Sequence, residues 1–157
     1  MPHSRPTYRL MLMLLGLFSC HANASGQFEA GEYIRDAELS PGWLTITSAS
    51  SSNLKFHLVT ELHAAGDDGE FTHNGVIEES EAVVSGASAV YRSSHEEDKE
   101  LGTCQLNLQH HQHEITVIQS GKCWWFGVGV DASGIYRKHE FSPEERAAIR
   151  HNVGLGH

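Results

Sequence analysis

The sequence predicts an all-β fold: a small antiparallel β-barrel or sandwich of about eight strands, followed by a short C-terminal helix. Three observations lead there. Short runs alternate apolar and polar residues, the period of a half-buried strand. Turn-forming clusters separate those runs at close spacing, the pattern of sandwiches and barrels. Before residue 142 the mature region has no segment with helical period.

The elements follow in order. Gly31-Glu32-Tyr33-Ile34 opens the first strand, and Ser40-Pro41-Gly42 turns the chain. Trp43 to Thr47 is β-rich and ends in the serine-rich turn 48–53. From Leu54 to His63, Phe56, Leu58 and Leu62 share one face, while Lys55, His57, Glu61 and His63 share the other. Gly66-Asp67-Asp68-Gly69 is a strong hairpin turn. Phe71 to Glu79 and Ala87 to Arg92 are further strands, and Ser94 to Glu100 reads as a charged loop. Gln105–Gln109 and Glu114–Gln119 make a hairpin. Trp124–Val130 is a strand bent at Gly127 and Gly129, and Ile135–Glu140 is the last one. Ser142, Pro143 and Glu145 then spell the N-cap, first-turn proline and capping-box acid of a helix that runs to about His151. The domain reading is a signal peptide over 1–24, a β domain over 25–141, and a helix and tail over 142–157.

Residues 1–24 carry the signal. Arg5 and Arg9 precede the apolar run Leu10–Phe18, and Ala22-Asn23-Ala24 offers a signal-peptidase site. Cleavage there predicts a periplasmic protein. Leu17-Phe18-Ser19-Cys20 offers an alternative, an outer-membrane lipoprotein anchored through Cys20. No later run reaches the ~18 apolar residues of a membrane-spanning helix, so no transmembrane segment is expected. Export leaves Cys104 and Cys123, and an oxidising compartment favours one disulfide between them. Its geometry is demanding. In a simple hairpin register these cysteines lie two strands apart, about 9–10 Å, unless the chain curls at a strand end.

Composition excludes more than it assigns. The formal charge is −9, and removal of Arg5 and Arg9 takes it to −11. Nucleic-acid binding requires a basic footprint and is excluded, whereas a cationic partner is favoured. Ten histidines follow residue 24. His110, His111 and His113 fall at a hairpin tip, where side chains splay outward. Only His111 and His113 would share a face, as a weak alternative metal site. His57 and His63 stand roughly 20 Å apart along a strand, too far to chelate one ion. There is no G-x-S-x-G and no H-E-x-x-H, and neighbouring acids such as Glu78-Glu79 point to opposite faces. No catalysis and no cofactor are expected. In Trp124-Trp125-Phe126, strand alternation places Trp124 and Phe126 on one face and Trp125 on the other. Trp125 is then the candidate binding anchor, because tryptophan is enriched at binding hot spots.

One set of residues resembles a known group. Gly31-x-Tyr33, Trp43-Leu44-Thr45-Ile46, Ala89-Val90-Tyr91, Cys104-x-Leu106, Ile115-Thr116-Val117, Cys123, Gly129-Val130 and Gly134-x-Tyr136 are spaced as in small exported bacterial β-proteins related to periplasmic lysozyme inhibitors. Ser133-Gly134-Ile135-Tyr136 is similar to the Ser-Gly-x-Tyr loop with which the inhibitors of invertebrate-type lysozyme enter the enzyme's cleft. The resemblance implies an inhibitor or immunity protein, with Ser133, Gly134 and Tyr136 facing a basic cell-wall hydrolase such as lysozyme. The Trp-Trp pair, the histidine-rich tip and the C-terminal helix depart from that pattern. A small-ligand carrier with an apolar interior, or a histidine-based metal-binding protein, is the alternative reading.

Overall fold

A computed structural model describes residues 27–66, 69–126 and 129–152. The expected signal segment and Cys20 lie outside the described residues. Eight strands form a closed antiparallel barrel in chain order: β1 (Gly31–Arg35), β2 (Gly42–Ala49), β3 (Asn53–Gly66), β4 (Gly69–Ser85), β5 (Ser88–Arg92), β6 (Gln105–His111), β7 (Glu114–Ser120) and β8 (Gly134–His139). Each strand pairs with the next, and β8 closes on β1 through Glu32 opposite His139 and Ile34 opposite Arg137. Closure removes the open sheet edges that otherwise invite aggregation.

Alternation fills the interior. Tyr33, Leu44, Ile46, Leu54, Phe56, Leu58, Leu106, Leu108, Ile115 and Tyr136 are fully buried, and Phe56 meets Tyr91 edge-on at 5.5 Å. The barrel is a packed core, as expected of eight strands whose side chains span the lumen.

The two ends differ. At one end lie the tight turns 50–52, 86–87 and 112–113, with helix α2 (Pro143–Asn152) beside them. The expected capping box is present: Glu145 N–H donates to Ser142 Oγ (3.2 Å) and Ser142 N–H to Glu145 Oε2 (2.7 Å). Those bonds hold the Glu145 carboxyl below its ordinary pKa. Arg146 fastens α2 to β1 through both carboxylate oxygens of Glu32. Phe28 and His110, with rings 5.7 Å apart, plug this end.

At the other end every connection is elaborated. It holds the segment 36–41, the far part of the β3–β4 hairpin, helix α1 (Glu96–Leu101), the Cys104–Cys123 bridge and the segments 121–126 and 129–133. The hairpin outgrows the barrel: β4 pairs with β5 only over Val83–Ser85, while β3 and β4 pair from Asn53–Val83 out to Gly66–Gly69. A bulge, with Glu78 and Glu79 placed against His57, bends this arm at the rim.

Three sequence expectations are corrected. Trp124–Phe126 is a 3₁₀ turn, with Phe126 N–H on the Cys123 carbonyl at 3.0 Å. Residues 96–101 are helical where a charged loop was expected. Glu96 and Glu97 suit the positive end of a helix, and Gly102 (φ +108°) releases the chain after it. His110 is buried, because β6 runs on to His111 and keeps the inward parity of Leu106 and Leu108; His111 and His113 are exposed.

Candidate functional site

The disulfide comes first, because it sets the frame of the elaborated end. Cys104 precedes β6 and Cys123 follows β7, which are neighbouring strands. Their Cα atoms are 4.6 Å apart. The two-strand gap foreseen from simple registers does not arise, since Cys123 is followed directly by the Trp124–Phe126 turn rather than by a strand. Gly121 (φ +74°) turns the chain back after β7, tight against the carbonyls of Gly102 and Thr103, and a side chain there would collide with them. The bridge thus anchors the segments 102–104 and 121–126 at the rim.

Just beyond it, the 3₁₀ turn sorts three aromatic side chains. Phe126 points inward, wholly buried, and lies on Gly75 of β4; a Cβ at Gly75 would run into the Phe126 ring and backbone. Trp124 and Trp125 remain 56% and 44% exposed. The indole of Trp125 stands edge-on to the His95 ring at 4.6 Å, which ties the turn to the start of α1. Strand alternation had assigned Trp124 to the face of Phe126. The tighter 3₁₀ rotation turns both indoles outward instead.

Segment 129–134 then crosses back to β8 as a hydrogen-bonded loop. The Ser133 hydroxyl donates to Asp131 Oδ1 (2.8 Å) and accepts the Gln119 N–H (3.0 Å). The Gln119 side chain accepts the Ala132 N–H at 2.9 Å. Ser133 N–H also reaches Asp131 Oδ1. Among the described residues, these contacts of Ser133 include no imidazole.

Tyr136 is a correction to the sequence expectation. A phenol meant for a partner's cleft must reach solvent, but Tyr136 is 0% exposed. It occupies an inward position on β8, and its hydroxyl donates to the Ala132 carbonyl. Burial pushes its pKa well above the ordinary tyrosine value. Ser133 and Gly134 are half-buried at the rim, and the outward residue of the four is Ile135.

Arg35 was not singled out by sequence, although it has the inward parity of Tyr33. It lies buried beneath the loop. Its guanidinium donates to the carbonyls of Asp131 (2.9 Å) and Ser133 (2.6 Å) and to Ser40 Oγ (2.8 Å), 5.6 Å from the centre of the Tyr136 ring.

At this end stand the exposed carboxylates of Asp36, Glu38, Glu97, Glu100 and Asp131, with Leu39 exposed next to Glu38. The end is acidic with an aromatic centre. Among the described residues, no group of three or more His, Cys, Asp or Glu is placed to hold a metal ion. His63 instead contacts the Glu61 carboxylate at 2.8 Å. A shallow cleft of about 530 Å³ lies at the other end, between β8 and α2, lined by Glu32, Lys138, His139, Phe141 and Arg146 among others. No described helix is long and apolar enough to cross a membrane.

No protein-family model, curated protein or solved structure matches the chain.

Proposed function

We propose that this is an exported binding protein that blocks a peptidoglycan-cleaving enzyme, as a lysozyme inhibitor or an immunity protein, through the disulfide-braced end of its barrel. The observation that carries the reading is that exposed Trp124 and Trp125, the 131–134 loop and a ring of carboxylates share that one end. Loops on a rigid scaffold are where binding residues concentrate. Exposed tryptophans supply anchoring area, and carboxylates at the rim steer a basic protein into contact. The resemblance of Ser133 to Tyr136 to an inhibitor loop points to a lysozyme-like target, and the disulfide suits an exported protein.

The chemistry of inhibition is then occlusion. Trp125 anchors, Ser133, Gly134 and Ile135 form the loop edge against the cleft, and Tyr136 supports that edge from inside. The carrier alternative draws no support from the barrel interior, which Tyr33, Phe56, Phe126 and Tyr136 occupy. A carrier needs a cavity of roughly 300 Å³ or more.

The test is a panel of c-, g- and i-type lysozymes assayed with the protein, with and without Trp125→Ala and Ser133→Ala. Inhibition weakened by Trp125→Ala supports the reading. Absence of inhibition at micromolar protein removes the host-enzyme form of it, and muralytic toxins of competing bacteria become the panel for the immunity form.

A further inference from the structure

Arg35 is a buried cation with no carboxylate partner among the described residues. It is only 7% exposed, and every acceptor it meets is neutral: the carbonyls of Asp131, Ser133 and Pro41 and the hydroxyl of Ser40. Its Nε is buried without a hydrogen-bond partner. Burying a charge in this way is costly unless the geometry is compensated. The fold makes room for it. A side chain at Gly134 would strike Arg35 Cδ, and one at Gly42 would press on both Tyr136 and Arg35 Nε.

The guanidinium joins two loops. Nη1 holds the segment that leads into β8, and Nη2 holds the β1–β2 connection. Strand pairing does not link these two loops to each other: β8 pairs with β1 only at Ile34–Arg137 and nearer the other end, β7–β8 pairing stops at Val117–Gly134, and segment 39–41 is held to β3 instead, by Glu61 N–H on the Pro41 carbonyl and His63 N–H on the Leu39 carbonyl. The planar fork reaches two loops at once, which a lysine ammonium cannot do.

We infer that Arg35 is a positioning residue of the binding end: from inside the barrel it fastens segments 40–41 and 131–133 in one conformation, so that the surface is formed before a partner arrives. Its consequence for inhibition rests on the function proposed above, whereas the fastening itself does not. Pre-organisation of this kind raises affinity by increasing the fraction of molecules already competent to bind.

The experiment is amide hydrogen exchange by NMR on Arg35→Lys, paired with association kinetics against whichever lysozyme the panel identifies. The lysine keeps the charge and loses the fork. Protection of the Ala132 and Ser133 amides should fall about tenfold or more, while the Leu44, Leu106 and Val117 amides keep theirs. The association rate should fall only as far as the closed, competent fraction falls, and the loss from Ser133→Ala should shrink in the Arg35→Lys background, whereas that from Trp125→Ala stays additive. A uniform loss of protection around the barrel would make Arg35 a general stability residue and overturn the inference, as would unchanged protection at 132–133. Should Arg35→Lys fold poorly, Ser40→Ala removes one acceptor alone: opening confined to 38–41 supports the fastening, and no change there contradicts it. If no lysozyme binds, the host-enzyme form of the function fails while the exchange data still decide the role of Arg35.

Discussion

The Tyr136 hydroxyl donates to the carbonyl of Ala132, four residues earlier and 2.9 Å away, with both residues buried. That bond folds the 132–136 segment onto itself and makes the phenol part of the barrel's interior. Tyr136→Phe should therefore destabilise the protein by about 1–3 kcal/mol, since the carbonyl is left buried and unsatisfied. Urea unfolding measures it. A variant of unchanged stability that had lost inhibition would return the phenol to the partner's side.

Joint replacement of Cys104 and Cys123 by serine should cost about 2–4 kcal/mol, the usual worth of a bridge closing a loop of this size. The damage should centre on the 3₁₀ turn, so tryptophan emission should change before far-ultraviolet circular dichroism does. Coincident loss of both signals in a denaturant titration would show that the turn is not separately braced.

Gly75→Ala forces a methyl group into Phe126, ring and backbone alike. Overpacking of this kind costs about 1–3 kcal/mol. The expected relief is displacement of the Trp124–Phe126 turn, visible as a shift in indole NMR signals. A neutral substitution would mean that Phe126 is less firmly seated than its burial implies.

Acid should weaken the protein in a window set by His57. Burial holds the folded-state pKa of His57 below its ordinary 6.5, with Glu78 opposing. The unfolded chain then binds the proton first, so stability is fully present above pH 6.5 and declines as pH falls from there through the folded pKa. His57→Gln should flatten that stretch of a Tm-against-pH curve. Glu145, whose carboxyl is lowered by its capping bonds, acts only from about 4.5 downward. An unchanged slope below 6.5 in His57→Gln would assign the window to other groups.

The barrel was legible because period two is a strong signal: Phe56, Leu58 and Leu62 announced an inward face, and β6 and β7 lie close to their expected spans. The capping box at Ser142 and Glu145 was equally readable, since its partners are three residues apart. The site was less so. The chain takes a 3₁₀ turn directly after the disulfide-bonded Cys123, yet the same β-rich trio reads as a strand when only neighbours are considered. Tyr136 and Ser133 sit in one motif, but Ser133 precedes β8 and stays at the rim while Tyr136 takes an inward position on the strand, and the motif alone does not show where the strand begins. Arg35 escaped because its partners are 96 and 98 residues away. Its signature, an arginine at an inward position, has meaning only after the barrel is closed.

The central claim is that the acidic, tryptophan-bearing end is the binding surface. Its most direct measurement is a hydrogen-exchange footprint of the full protein with a c-, g- or i-type lysozyme that it inhibits. Protection should be gained over segments 38–41, 124–126 and 131–134. Protection confined to turns 50–52, 86–87 and 112–113, at the opposite end of the barrel, would contradict it.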